Sequence, residues 1–197
     1  MDMNGRFSSN RSLIIRLVVI VVVVVAAYAV GKHHGNSTNT TSNAPTTVSI
    51  QPSGLKYPAG WKEAGQIPSA DQSAGTISEA SRSNPSASVV LLSTNGQVSS
   101  NFDYKQAASQ AADKLKNNTT DFKLIKSEVL GLGSTKAIGL TFSDQNDGQA
   151  NTHRQIILPS SKGIYYLTLT AKSSDYSKLS SDIAALQNAV AAYAITR

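Results

Sequence analysis

An apolar stretch near the start of the chain limits what the whole sequence can fold into. Residues 13–31 read LIIRLVVIVVVVVAAYAVG and contain one charged side chain, that of Arg16. About 20 apolar residues in a helix span the hydrocarbon core of a bilayer, which is roughly 30 Å thick. The stretch reaches this length if Arg16 extends its guanidinium to the headgroups. It therefore predicts a transmembrane signal anchor.

A cleavable signal peptide is the alternative interpretation of the same stretch. Without Arg16, the apolar run is confined to residues 17–30, a length that suits the hydrophobic region of a secretory signal. Ala27-Tyr28-Ala29 supplies the small-x-small pattern of a cleavage site, so the signal would be cleaved after Ala29. A charge deep in the apolar region of a signal is unusual, and this favours the uncleaved anchor.

Charges flanking the apolar stretch predict its orientation. Arg6, Arg11 and Arg16 precede its uncharged part, whereas Lys32 alone follows it. Positive flanks stay in the cytoplasm, so residues 1–12 form a cytoplasmic n-region and the C-terminal part is exported under either interpretation. The sequence predicts a single-pass protein of the cell membrane with an extracytoplasmic domain, or a secreted protein if the signal is cleaved.

The composition excludes several classes of protein. The chain contains no cysteine, which excludes a lipoprotein anchor, disulfides, thiolate zinc sites and cysteine nucleophiles. The formal net charge is +6, but residues 1–32 carry four basic and one acidic side chain, and the rest of the chain carries fourteen and eleven. Half of the excess positive charge belongs to the topology signal, so we expect no nucleic-acid partner.

Composition divides the exported part into a tether and a domain. Residues 32–47 read KHHGNSTNTTSNAPTT and lack large apolar side chains, so they predict a flexible polar tether. His33 and His34 on this tether lack a third ligand and a rigid frame for a metal. Residues 48–197 predict one extracytoplasmic domain of common size.

Hydrophobic periodicity in this domain predicts strands and two helices. Every second residue is apolar in several runs; Ile138, Leu140 and Phe142, for example, share one face of a strand. The last four strands are joined by short turns, which predicts an antiparallel meander. Residues 87–93 are apolar on both faces, which predicts a central strand. Asn101-Phe102-Asp103 supplies capping residues for the first helix, and Asn117-Asn118 is expected to stop it. The predicted strands are 48–50 or 55–57, 75–82, 87–93, 122–129, 135–143, 151–158 and 163–171, and the predicted helices are 101–116 and 175–195.

This order of elements predicts an α+β fold in which two main helices flank a largely antiparallel sheet. The segment Tyr57-Pro58-Ala59-Gly60-Trp61, the capped helix, the strand pair around Gly139, the strand that begins GIYYLTLT at Gly163 and the closing helix resemble the Mog1/PsbP-like fold family. The resemblance covers about residues 50–197. Because that family includes photosystem extrinsic subunits, a nuclear-transport GTPase cofactor and bacterial envelope proteins, it implies binding or assembly rather than catalysis.

His153 is the single histidine of the predicted domain and its natural candidate for a general base or metal ligand. It lies in a polar segment, NTHRQ, ahead of the apolar part of a strand that begins at Ile156. We therefore expect it at a strand end facing solvent. A catalytic role would need a hydroxyl or carboxylate within about 3 Å. No nucleophile or metal motif accompanies His153, so the sequence predicts no catalytic residue, metal site or cofactor.

The candidate binding surface consists of His153, Trp61 and a group of lysines. Trp61 is expected in the core or at its rim. The lysines cluster in sequence and could form an electropositive corner for an anionic envelope polymer or lipid headgroups, although interleaved acidic residues favour an ordinary solvated surface. Residues 144–148 carry oxygen ligands but lack the later glutamate of a calcium loop, so they predict a hairpin turn. The lysines are Lys114, Lys116, Lys123, Lys126 and Lys136.

The sequence as a whole predicts a membrane-anchored extracytoplasmic binding or assembly module of the cell envelope, without catalysis. Its expected partners are the membrane, through residues 13–31, and an envelope protein or anionic polymer. Two alternatives stay open. One is an envelope hydrolase that uses His153. The other is a structural scaffold of a membrane complex, which an exposed apolar patch on the sheet or around Trp61 would favour.

Overall fold

The computed structural model describes residues 53–67, 69–96, 98–99, 101–146 and 148–196. The predicted n-region, signal anchor, tether and strand at 48–50 lie outside the described residues and stay predictions. Among the described residues, no helix is long and apolar enough to cross a membrane.

Seven strands of the described residues form one antiparallel sheet. They are β1 (Lys62–Glu63), β2 (Thr76–Ser83), β3 (Ser86–Thr94), β4 (Lys123–Leu132), β5 (Thr135–Asn146), β6 (Gln149–Ser160) and β7 (Gly163–Lys172). Their order across the sheet is β1-β2-β3-β7-β6-β5-β4. The predicted meander of the last four strands is confirmed, and so is the central position of β3, which lies between β2 and β7.

Helices cover both faces of the sheet. They are α1 (Ser69–Ser73), α2 (Tyr104–Asn118) and α3 (Ser180–Thr196), and a 3-10 turn at Tyr176–Leu179 leads into α3. The predicted α+β architecture with two main helices is therefore confirmed for the described residues. The sequence did not predict α1 or the 3-10 turn, which the closing helix was expected to include.

The face of the sheet beneath α2, called the α2 face, is built by alternation in the strands. Ile138, Leu140 and Phe142 of β5 are fully buried there, and Ala111 and Leu115 of α2 pack against them. Alanines dominate the buried stripe of α2, so the helix can approach the strands closely. The opposite side, called the α3 face, is filled by a second apolar cluster that includes Leu91, Leu167, Ile156, Leu186 and Val190.

Asp103 starts α2 as the sequence predicts. Its carboxylate accepts hydrogen bonds from the backbone N–H groups of Lys105 at 2.9 Å and Gln106 at 3.0 Å, which satisfies donors that a helix start leaves free. The helix ends at Asn118, two residues later than predicted. Because the Asn118 side chain donates to the Lys114 carbonyl at 2.8 Å, it supports the last turn instead of stopping it.

The segment before β1 is held by side-chain hydrogen bonds rather than by a strand, so the predicted strand at 55–57 is wrong. Glu63 accepts hydrogen bonds from the Ser53 hydroxyl at 2.6 Å and the Ser78 hydroxyl at 2.7 Å. Tyr57 is hydrogen-bonded to the same Ser78 hydroxyl, and Leu55 is buried on the α3 face. Burial acts to raise the pKa of Glu63, but the hydrogen bonds from the two serines outweigh it and lower the pKa.

Candidate interaction surface

β4 ends one side of the sheet and exposes large apolar side chains there. Leu124, Ile125 and Val129 expose 41%, 54% and 41% of their surface, and Ile195 is the other large apolar residue exposed among the described residues. β4 pairs with β5 on one side, and among the described residues no strand pairs with its other side. This free side presents backbone donors and acceptors that another strand could pair with.

The pairing of β4 with β5 shows on which face of the sheet these residues lie. Val129 lies opposite Ile138, and Leu124 lies opposite Phe142, so both belong to the α2 face. The register shifts between Leu124 and Lys126, and this bulge leaves Ile125 as the extra residue. The residues of β5 on this face are fully buried, whereas Leu124 and Val129 of β4 stay exposed although α2 also contacts β4.

Glu128 divides its two carboxylate oxygens between the interior and the free edge. Arg154 donates to Oε1 at 2.8 Å, and the Lys126 Nζ lies 2.7 Å from Oε2. Burial acts to raise the pKa of Glu128, but the hydrogen bonds and charges of Lys126 and Arg154 outweigh it and lower the pKa. Glu128 is therefore a carboxylate in a fixed orientation, with one oxygen directed to the rim of the sheet.

Arg154 holds Glu128 in place from a buried position on the α3 face. It also donates to the Thr141 hydroxyl at 3.0 Å. The Gln187 amide of α3, with its oxygen toward Arg154, accepts from Nε at 3.2 Å and from Nη2 at 3.1 Å. The guanidinium lies across Gly139, where an added Cβ would stand 2.6 Å from Nη2. Arg154 thus connects α3 and β5 to the edge strand.

His153 lies in the interior, so the expectation that it faces solvent is wrong. Its side chain is almost fully buried on the α2 face, and its ring stacks on Phe142 with centroids 4.7 Å apart. Nδ1 lies 2.9 Å from the Thr170 hydroxyl, and Nε2 lies 3.1 Å from Asp144 Oδ1. The prediction of exposure failed because β6 is an inner strand with both faces covered. Its buried part begins at Thr152 rather than at Ile156.

The His153 cluster has the interatomic distances that a general base requires, but it lacks the exposure that would let a substrate reach the ring. A hydroxyl and a carboxylate both lie near the ring, as the hydrolase alternative requires. However, His153 and Asp144 are buried, and Thr170 is the half-buried member of the three. The contacts of the His153 ring span β5, β6 and β7, so the cluster links these three strands. Among the described residues, no group of three His, Cys, Asp or Glu side chains could hold a metal.

β5 and β6 pair as an antiparallel hairpin, as predicted, but three residues of the predicted turn belong to β5. Asp144, Gln145 and Asn146 end β5, and Gly148 follows with a φ of +74°. The Asp144 carboxylate points inward to His153 and also accepts a hydrogen bond from Asn151 at 3.4 Å. Both contacts are to Oδ1, so this oxygen is engaged within the sheet.

The five lysines do not share one corner. Lys116 and Lys123 flank the connection from α2 to β4, and Lys114 lies one half-turn before Lys116. Lys126 points to the α3 face, where it pairs with Glu128. Lys136 lies opposite Gly131, about 26 Å along β4 from Lys123 at roughly 3.3 Å per residue.

Trp61 packs in the core, which is one of its two predicted positions. It belongs to the apolar cluster of the α3 face, and its indole N–H donates to Asp182 Oδ2 at 2.9 Å. Arg82 is bound to the same oxygen. Asp182 lies in the first turn of α3, where the helix dipole favours a negative charge. The exposed apolar patch is therefore at β4 and not around Trp61.

Comparisons of the structure with solved structures show several similar folds. LpqN, described as involved in cell envelope biogenesis of Mycobacterium tuberculosis, matches with a TM-score of 0.49 and 17% identity over 68% of this chain and 78% of LpqN. The Ran-binding protein Mog1p of Saccharomyces cerevisiae matches with a TM-score of 0.43 and 13% identity over 69% of this chain and 82% of Mog1p. Cyanobacterial PsbP from Synechocystis matches with a TM-score of 0.43 and 12% identity over 79% of this chain and 95% of that protein.

The folds that are similar to this chain thus include those of Mog1p and PsbP. The resemblance seen in the sequence is thereby confirmed, as a likeness of fold. No protein-family model and no curated protein sequence matches the chain. At the identities of these matches, the Mog1/PsbP-like fold carries no function with it, so the function must come from the residues of this chain.

Proposed function

We propose that this protein is a membrane-anchored extracytoplasmic module of the cell envelope, which binds a protein strand through β4 and performs no catalysis. The observation that carries the proposal is the unpaired apolar edge, with Ile125 and Val129 exposed on a ten-residue strand. Long apolar edges are templates for strand addition, and proteins usually protect them with charge, covering loops or very short strands. The occupant of β4 is thus a strand with apolar side chains opposite Ile125 and Val129.

The charges on β4 are arranged so that they do not repel a second strand. Lysine on an edge strand normally repels a second strand. Here the Lys126 charge is matched by Glu128 at 2.7 Å on the same strand, and Glu128 is itself fixed by Arg154. The middle of β4 therefore combines a balanced charge pair with apolar side chains, and Lys123 stands at its end.

Anchoring and export rest on the sequence. Residues 13–31 have the length and flanking charges of a signal anchor. The polar segment that follows, residues 32–47, would hold the domain about 20 Å from the membrane if it behaves as a flexible chain. Such a tether leaves β4 free to reach a partner in the same membrane.

The hydrolase alternative is supported by the contacts of His153 with Asp144 and Thr170. It is the weaker candidate, because His153 exposes 4% of its surface and stacks on Phe142. A general base must reach the proton that it abstracts from a bound substrate. The separation of Lys126 and Lys136 from the other three lysines likewise makes an anionic polymer a weaker partner than a protein strand.

Affinity capture from solubilised membranes tests the proposal. The full chain with a C-terminal tag is expressed beside an untagged copy of itself, and the Ile125→Glu/Val129→Glu double variant, made in both copies, places two charges on the edge. We expect the wild type to retain a protein partner. The double variant should capture at least about tenfold less of it, because unpaired charges buried at an interface weaken binding. A Ser181→Glu/Asn188→Glu variant adds the same charge to exposed positions of α3 and should retain the partner. Equal capture by all three proteins would contradict the proposal.

A further inference from the structure

We infer that the strand received by β4 is β4 of a second copy of this chain, paired antiparallel with Ser127 opposite Ser127. The inference rests on the proposed function and names its partner. A two-fold axis at Ser127 would continue the sheet through both copies, so each copy would satisfy the free backbone groups of the other. The support comes from the side chains that this register brings together.

The register matches charges across the interface. With Ser127 on the axis, Lys126 of one copy lies opposite Glu128 of the other, and the symmetry repeats the pair. Both side chains lie on the α3 face, since Lys126 is opposite Thr141 and Glu128 is opposite Gly139 in the β4–β5 ladder. Arg154 occupies Oε1 of Glu128, which leaves Oε2 for a lysine at the rim. In the paired state this lysine can come from the second copy.

The same register matches apolar side chains. Ile125 of one copy lies opposite Val129 of the other, and these are two of the most exposed large apolar residues that the structure describes. Cross-strand pairs of β-branched residues stabilise antiparallel sheets, so four exposed apolar side chains of the pair, Ile125 and Val129 from each copy, would become partly buried together.

Neighbouring registers lack this complementarity. A shift of two residues keeps the faces of the sheet continuous. Shifted one way, it places Lys126 opposite Lys126; shifted the other way, it places Glu128 opposite Glu128. Like charges directly opposite each other destabilise a strand pair. The β4 sequence therefore selects one antiparallel register with itself.

Disulfide cross-linking tests the inference, because the natural chain has no cysteine. Directly opposed Cα atoms in an antiparallel pair lie about 4.5 or 5.5 Å apart, and both distances suit a disulfide. The full-length Ser127→Cys variant is oxidised in its native membrane with copper phenanthroline. We expect a disulfide-linked dimer on a non-reducing gel. Ser86→Cys, an equally exposed serine on β3, should stay monomeric.

A pair of variants tests the register. Ile125→Cys and Val129→Cys chains expressed together should form a mixed dimer, whereas Ile125→Cys alone should not, because its two copies would lie about 13 Å apart at roughly 3.3 Å per residue. Equal cross-linking of Ser127→Cys and Ser86→Cys would indicate random collision and overturn the inference. Absence of a Ser127→Cys dimer would also overturn it; the proposed function would still stand if the Ile125→Glu/Val129→Glu variant loses a different captured protein. If neither the Ser127→Cys dimer nor the loss of a captured protein is observed, the inference and the proposed function are both overturned.

Discussion

Replacing Phe142 with alanine is expected to lower the free energy of unfolding by about 3–5 kcal/mol. The ring is fully buried on the α2 face and lies between two others, with its centroid 4.7 Å from that of His153 and 5.5 Å from that of Phe122. Truncation removes this apolar contact and leaves a cavity beneath α2. Urea unfolding of the full chain in mild detergent, followed by the fluorescence of the single tryptophan, Trp61, measures the loss.

Phe122→Ala is the matched control for this prediction. It removes the same side chain from a half-buried position on the other side of Phe142, so we expect less than half of the loss. If the two variants lose equal stability, Phe142 is not at the centre of the α2-face core.

Glu128→Ala is expected to cost about 3 kcal/mol, because it leaves the buried Arg154 guanidinium without its carboxylate. The hydrogen bonds of Arg154 to Thr141 and Gln187 remain, but they come from neutral groups and do not balance its charge. The same unfolding measurement applies, at a protein concentration low enough to keep the chain monomeric.

Two further variants show whether the unpaired charge is the cause. Arg154→Met removes the charge and keeps most of the side-chain volume, so we expect a much smaller loss than for Glu128→Ala. Lys126→Gln removes the exposed ion pair between Lys126 and Glu128, and it should cost less than about 1 kcal/mol. A loss for Arg154→Met as large as that for Glu128→Ala would show that packing, and not charge pairing, explains the effect.

Much of the fold could be predicted because apolar residues recur along the chain at the regular spacings of strands and helices. The alternation of Ile138, Leu140 and Phe142 predicted one buried face of β5, and all three are fully buried. Asp103 predicted the start of α2 through capping chemistry that is local to a few residues. Such signals depend on near neighbours in sequence, so they can be read without the tertiary structure.

The candidate surface could not be predicted in the same way, because exposure depends on which strand lies at the edge. Leu124, Ile125 and Val129 have the composition of an ordinary half-buried strand, and only the order of the sheet leaves them uncovered. The same reasoning explains His153: its polar neighbours in sequence predicted solvent, whereas its neighbours in space are Phe142, Thr170 and Asp144. The adjacent apolar pair Leu124-Ile125, which breaks strict alternation, was the one local signal of the bulge.

Hydrogen exchange along β4 tests most directly whether this edge is covered in the working protein. The amides are followed in the full chain in membrane vesicles, for the wild type and for the Ile125→Glu/Val129→Glu variant, with β6 as an internal reference. If β4 is paired, its outward amides exchange about tenfold or more slowly in the wild type than in the variant, while β6 is equally protected in both. If the β4 amides exchange at the same rate in both proteins, the edge is free and the binding proposal is contradicted.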